Sequence, residues 1–227
     1  MNSFRENSTF FDLSHEVSPD ISTFPVAWHK KVEFEKLGTL ESVGRRTTHL
    51  HIGTHSGTHI DAPSHFISDG LTIDKLNLNK FLGAAFVYNL QKTAPCQEVK
   101  TNELLDLKVS DVEDKILIFN FGWASNFGNH DYYSKQPYFS NNACEYILSL
   151  KPKMIGYDLA MPDSPLNNQA SNCDSPAHKL FLKEGIPLLE NLKLPTDLPN
   201  EIYVSCIPLK LRNLDGSPVR CVGWKNA

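Results

Sequence analysis

The sequence predicts one mixed α/β domain spanning residues 1–227, and three observations lead there. Short apolar runs rich in β-branched and aromatic residues alternate with short amphipathic ones along the whole chain. No long linker, low-complexity tract or long internal repeat interrupts that alternation. At 227 residues and 41% hydrophobic content, the chain is long enough for one sizeable core or two small ones.

In chain order, strands are expected at 9–13 (TFFDL), 31–35 (KVEFE), 47–52 (TTHLHI) and 83–90 (GAAFVYNL). Others are expected at 115–121 (KILIFNF), 153–158 (KMIGYD), 201–207 (EIYVSCI) and 219–224 (VRCVGW). All are dense in side chains that suit a pleated, half-buried surface. Helices are expected at 101–107 (TNELLDL), 141–150 (NNACEYILSL) and 175–185 (SPAHKLFLKEG). In the last of these, Ser175 is the expected N-cap, and Pro176 takes the first helical position, where a missing N–H costs nothing. Gly185 is the expected stop.

Composition excludes several function classes. A net charge of -4 gives no reason to expect nucleic acid or an anionic membrane as partner. No apolar run approaches the roughly 20 residues needed to span a bilayer. The opening MNSFRENSTFFDLSHEV lacks the apolar region of a signal peptide, so a cytoplasmic location is expected. The cysteines (Cys96, Cys144, Cys173, Cys206, Cys221) are odd in number and widely spaced, with no Cys-x-x-Cys. They are read as free thiols and neither as a disulfide framework nor as a thiolate zinc site.

Chemistry concentrates in residues 49–66, HLHIGTHSGTHIDAPSHF, where five of the nine histidines fall. His-x-Gly-Thr-His occurs there twice in overlapping registers, 51–55 and 55–59. Histidines at 51, 55 and 59 would share one face of a helix, but Gly53, Gly57, Pro63 and the threonines are poor helix formers. A strand ending near Ile52, a tight turn through Gly57 and a second extended piece at 59–61 fit better. In an extended piece alternate residues point the same way, so His59 and Asp61 face one point. Gly57 permits the bend that brings His55 there. Pro63 stiffens the exit and fixes where His65 lands. Two imidazoles and a carboxylate are a common ligand set for zinc, manganese or iron(II). His49 and His51 have no Asp-x-Pro-x-His continuing from them. They are read as strand residues, with His51 at most a neighbour of the ligands.

Residues 55–65, HSGTHIDAPSH, match His-x-Gly-Thr-His-x-Asp-x-Pro-x-His, which resembles the signature of the cyclase family of metal-dependent hydrolases. The likeness runs on through FDLSHEV near the start, IGYDLAMPDSP (155–165), SPAHKLFLKEGIPLLENL (175–192) and IPLKLRNLDGSPVRCV (207–222). It covers nearly the whole chain in order. The resemblance implies the family's swivelling β/β/α fold and a site for up to two divalent ions, Zn²⁺ first and Mn²⁺ as alternative. His55 and His59 would bind one ion and His178 the other, with Asp61 and Glu190 bridging, and His65 would be the catalytic acid/base. From the residues alone, His178 reads as an ordinary surface or core histidine of a helix, and Glu190 as a solvated carboxylate or a helix-start residue.

The family includes bacterial kynurenine formamidase and isatin hydrolase. The resemblance therefore implies hydrolysis of an amide C–N bond, first N-formylkynurenine to kynurenine and formate, with isatin or another cyclic amide or lactone as alternative. Where the formamidases have a Trp-Pro-Gly-Asp-like segment this chain has TFPVAW (23–28), so Phe24 and Trp28 are the candidates for contact with an aryl ring. Plain core packing is the competing account of both. FGW (121–123) resembles a Thr-Gly-Trp segment found widely in the family. No Gly-x-Ser-x-Gly elbow supports a serine hydrolase. A metal-binding module without catalysis is the rival from another class, and His65, which is not needed to hold metal, argues against it. Family members are typically homo-oligomers, so a dimer or larger assembly is implied.

Overall fold

The structure, a computed structural model, describes residues 8–108, 111–166 and 174–226. Cys173 lies outside the described residues. Thirteen strands and five α-helices are present among them. The strands are β1 (Thr9–Asp12), β2 (Glu33–Gly38), β3 (Thr47–His51), β4 (His59–Asp61), β5 (Leu82–Asn89), β6 (Glu98–Val99) and β7 (Ile116–Asn120). They continue with β8 (Tyr138–Phe139), β9 (Met154–Tyr157), β10 (Leu188–Glu190), β11 (Glu201–Ser205), β12 (Gly216–Pro218) and β13 (Val222–Lys225). The helices are α1 (Leu40–Val43), α2 (Thr101–Asp106), α3 (His130–Ser134), α4 (Asn141–Ser149) and α5 (Pro176–Lys183).

Nine strands form one mixed sheet in the order β1-β13-β11-β5-β7-β9-β10-β4-β12. The middle, β5-β7-β9-β10, is parallel, and both flanks are antiparallel. Strand β7 shows why its residues sit at the centre. Ile116 and Ile118 enter one core and Leu117 and Phe119 the other, all fully buried. A continuous apolar run is what a parallel strand covered on both faces requires. On one face α2, α4 and α5 contribute Leu104, Ile147, Phe181 and Leu182. On the other the sheet curls over, so that Leu13 after β1 and Ile60 on β4 join Leu189 and Val204 in a second core. An isolated bridge between Ser14 and Leu192 ties the start of the chain to the segment after β10.

The eight expected strands and three expected helices are all present, with shifted ends. The segment 219–224 was expected as one strand, but β13 begins only at Val222. Pro218, which has no N–H to donate, ends β12 at the sheet edge, and residues 219–221 link it to β13 without regular structure. The expected N-cap at α5 also needs correction. Ser175 adopts φ 52°, ψ 50°, and its side chain accepts no cap bond. The acceptor is Asp163, whose Oδ1 takes the Ala177 N–H at 2.7 Å and whose Oδ2 takes the His178 N–H at 3.2 Å. A cap supplied from another segment leaves no signal at the helix start itself.

Strands β2 and β3 form a separate antiparallel ribbon joined by α1, and almost every residue of it is exposed. Among the described residues no helix is long and apolar enough to cross a membrane. Cys96, Cys144, Cys206 and Cys221 are free thiols.

Candidate metal centre

Four elements bring the expected residues together. After β3 the chain turns through Gly57, whose φ of +62° is open to glycine at little cost. It then enters β4, where His59 and Asp61 face the site while Ile60 between them is fully buried in the core. Strand β10 lies antiparallel to β4 with Glu190 opposite His59 and Leu189 opposite Ile60, so the pairing register delivers Glu190 to the same side. A short 3₁₀ turn over Pro63–His65 presents His65, and α5 presents His178 from across the cavity. Gly216 on β12 lets the His55 ring approach, because a Cβ there would stand 2.9 Å from Cε1 of His55 and 2.7 Å from the Ile60 carbonyl oxygen.

Asp61 lies at the middle of the cluster and is only 1% exposed. Its two oxygens serve different sides. Oδ1 is 2.7 Å from Nδ1 of His55 and 3.2 Å from Nε2 of His59. Oδ2 is 3.5 Å from Nε2 of His178 and 4.0 Å from Nε2 of His65. Glu190 divides in the same way, with Oε2 at 3.6 Å from His59 Nε2 and Oε1 at 3.3 Å from His178 Nε2.

Each imidazole of the three expected ligands commits one nitrogen elsewhere. Nδ1 of His59 donates to the Gly57 carbonyl at 2.8 Å, Nδ1 of His178 donates to Asp163 Oδ2 at 2.6 Å, and Nε2 of His55 donates to Asp215 Oδ2 at 2.8 Å. For His59 and His178 these partners assign the tautomers, whereas His55 has a carboxylate at each nitrogen, Asp61 Oδ1 2.7 Å from Nδ1 and Asp215 Oδ2 2.8 Å from Nε2. The Nε2 atoms of His59 and His178 then turn their lone pairs toward carboxylate oxygens, acceptor against acceptor in a buried site, which only a positive charge reconciles. The 3.2–3.6 Å separations of His59 and His178 from the carboxylates are close to the ~3.3 Å edge of a tetrahedron with metal–ligand bonds of about 2.0–2.1 Å. The donor set therefore fits one or two divalent ions, and fixed second partners of this kind are the usual support of ligating histidines.

The electrostatics agree. Burial pushes His55 down, but Asp61 and Asp215 outweigh it and raise it to about 10. Burial likewise opposes charge on His178, yet Asp163, Asp61 and Glu190 hold it well above its ordinary value. Burial alone would raise Asp61, and the positive charge of His55 and His65 instead holds it well below the usual carboxylate range. A centre that favours cations this strongly accepts either protons or a metal ion.

A cavity of ≈ 290 Å³ opens above the cluster, lined by Phe24, Trp28, His29, Phe66, Tyr133 and Met161 among others. That volume is at the small end for organic ligands and suits a single aryl ring with a short side chain. Phe24 meets Tyr133 edge-on at 5.7 Å, so it packs and lines the cavity at once. Trp28 is 67% exposed at the rim. His51 is a strand residue whose Nε2 lies 3.3 Å from Glu35, away from the cluster.

Four partners of the cluster were not read from sequence. Asp215 bonds both His55 and His65, Asp163 bonds His178, and the Tyr157 hydroxyl donates to Glu190 Oε1 at 2.7 Å. Asn191 donates to the Gly57 carbonyl at 3.0 Å and accepts from Tyr132 at 2.8 Å. Asp163 and Asp215 do lie in the two segments, IGYDLAMPDSP and the DGSP of 215–218, that carried the family likeness, which was the available signal. Tyr157, in IGYDLAMPDSP, and Asn191, in the ENL of 190–192, lie in segments of the same likeness. His29, also unread, lines the cavity with its ring centroid 6.0 Å from that of His55. Burial, with the positive charge of the neighbouring histidines, pushes it down to about 4.

Comparison with known proteins bears out the resemblance. The family model Cyclase matches residues 11–164. The chain is 31% identical over 213 residues to the kynurenine formamidase of Geobacillus thermodenitrificans, covering 93% of this chain and 95% of that one. Its fold is similar to that of an isatin hydrolase bound to the product analogue thioisatinate, with a TM-score of 0.86 at 23% identity, over 97% of this chain and 93% of the other. A predicted metal-dependent hydrolase from Bacillus stearothermophilus superposes with a TM-score of 0.78 at 19% identity, over 96% and 99%.

Proposed function

This chain belongs to the cyclase family, and from that premise we propose that it is a metal-dependent amidohydrolase whose substrate is N-formylkynurenine, cleaved to kynurenine and formate. The observation that carries the reading is the division of Asp61 and Glu190, each with one oxygen toward His59 and the other toward His178. His55, His59, Asp61, His178 and Glu190 would hold the ions. When bound, a divalent ion supplies Lewis acidity toward a carbonyl and toward water.

The remaining chemistry falls to the chain's own side chains. An amide nitrogen leaves badly as an anion, so it needs a proton. Nδ1 of His65 is held by Asp215 at 3.1 Å, which leaves Nε2 to take a proton from the attacking water and return it to the leaving nitrogen. Phe24 and Trp28 would flank the aryl ring, which supports an aryl formamide over an aliphatic one.

Zn²⁺ is the proposed ion and Mn²⁺ the alternative, since imidazole and carboxylate donors suit both. The exposed apolar side chains Phe34, Leu37 and Leu50 of the β2-β3 ribbon are consistent with a homo-oligomer. The test is a turnover screen of metal-reconstituted enzyme on N-formylkynurenine and isatin. Preferential formamide hydrolysis, abolished by chelator, is expected. Turnover of isatin alone would replace the substrate with a cyclic amide, and turnover of neither would remove both.

A further inference from the structure

Outside the catalytic cluster, the ribbon carries a second set of donors. Glu35 on β2 stands directly opposite His49 on β3, and His51 is two residues further along the same face. Glu35 Oε2 lies 3.3 Å from His51 Nε2 and 3.7 Å from His49 Nδ1. The two rings stack with centroids 4.5 Å apart. One donor atom from each of the three residues lies within 4.8 Å of the other two. We propose that Glu35, His49 and His51 form a separate surface site for a single borderline divalent ion of the Zn²⁺ class.

The geometry supports a metal over a mere ion pair. Exposed pairs of this kind contribute little by themselves. Two stacked imidazoles would repel if both took protons, whereas one ion serves both rings and the carboxylate together. The His51–Glu35 separation of 3.3 Å matches the ~3.3 Å spacing that bonds of about 2.0–2.1 Å require, and the 3.7 Å of His49–Glu35 closes to it by a small side-chain rotation. Strand pairing sets the backbone spacing of all three in advance, so binding needs only side-chain rotation. With three protein donors in solvent, the remaining positions go to water, which makes the ion exchangeable. His51 also borders a groove that leads past Ile52 and Thr54 to His55, His65 and Asp215. An ion held on the ribbon therefore stands at the outer end of a path to the catalytic cluster.

Equilibrium dialysis of the purified chain against micromolar Zn²⁺, followed by metal analysis, tests this. The His49→Ala/His51→Ala double variant is expected to bind one ion fewer per chain than the wild type, with turnover of the loaded enzyme retained. Glu35→Gln is expected to weaken that ion's binding roughly tenfold or more. The same difference of one ion is expected in a His59→Ala background, which separates this site from the catalytic one. Equal stoichiometry in wild type and double variant, or saturation only at millimolar Zn²⁺, would overturn the proposal.

Discussion

Asp215 accepts a hydrogen bond from Nδ1 of His65 at 3.1 Å, although the two are 150 residues apart in sequence. The same oxygen accepts from Nε2 of His55 at 2.8 Å. One carboxylate thus orients both the proposed acid/base and a proposed metal ligand. Asp215→Asn keeps the shape but removes the anion, and its amide can offer a donor where an acceptor is needed. Turnover is expected to fall roughly 10–100-fold, with metal bound more weakly. Steady-state kinetics at saturating Zn²⁺ alongside metal analysis checks this, and wild-type values in both would refute it.

His65 has the longest contact to Asp61, 4.0 Å, and the most exposed side chain of the cluster's histidines at 23%. That position suits a proton carrier better than a ligand. His65→Ala is expected to retain metal and lose roughly 10²–10⁴-fold in turnover. A fully active variant would sink the assignment.

The doubled His-x-Gly-Thr-His motif gives a paired test. His59→Ala is expected to lose metal from the catalytic cluster and with it turnover, because His59 sits 3.2 Å from Asp61 and 3.6 Å from Glu190. His51→Ala is expected to leave turnover near wild type. The reverse pattern would mean that the first register carries the chemistry.

Asp163 ties a helix start to a proposed ligand, accepting from Ala177 N, His178 N and His178 Nδ1. Asp163→Ala removes a cap worth about 1 kcal/mol and frees the His178 ring. Lower thermal stability is expected together with metal affinity reduced roughly 10–100-fold. A stability loss with unchanged affinity would show that Asp163 acts on the helix alone.

Acid should weaken the fold through His15. Its ring stacks on Phe127 at 3.8 Å, and burial, with the charge of Lys193, pushes it down to about 4. The ordinary value is near 6.5, so between about pH 6.5 and 4 the unfolded chain binds a proton that the folded chain refuses. Stability from this group is therefore present above that window and lost as pH falls through it. His15→Phe keeps an aromatic stack and removes the proton, so its urea midpoint should fall less than that of the wild type between pH 7 and pH 4.5. Identical pH dependence in the two proteins would exclude His15.

Local chemistry was legible in the sequence wherever it depends on neighbours along the chain. The alternation of His59 and Asp61, the turn at Gly57 and the rigid exit at Pro63 are consequences of backbone geometry within a few residues, and all three appear as expected. So do the apolar runs that became β7 and β9, because a strand buried on both faces must be apolar throughout. The short strands β10 and β12 were not legible. At three residues each they carry no periodicity, and they exist because β4 pairs with both.

The α/β class, the family and the residues proposed as ligands were all legible in the chain itself. Tertiary structure alone decided which nitrogen of each histidine faces the centre. It also decided that Asp163 caps α5 in place of Ser175, and that Asp215 joins His55 to His65. The reason is physical: a lone pair is aimed by the partner on the other side of the ring. For His55 and His178 that partner comes from a distant segment, which only the curled sheet and the docked helix bring within hydrogen-bond reach.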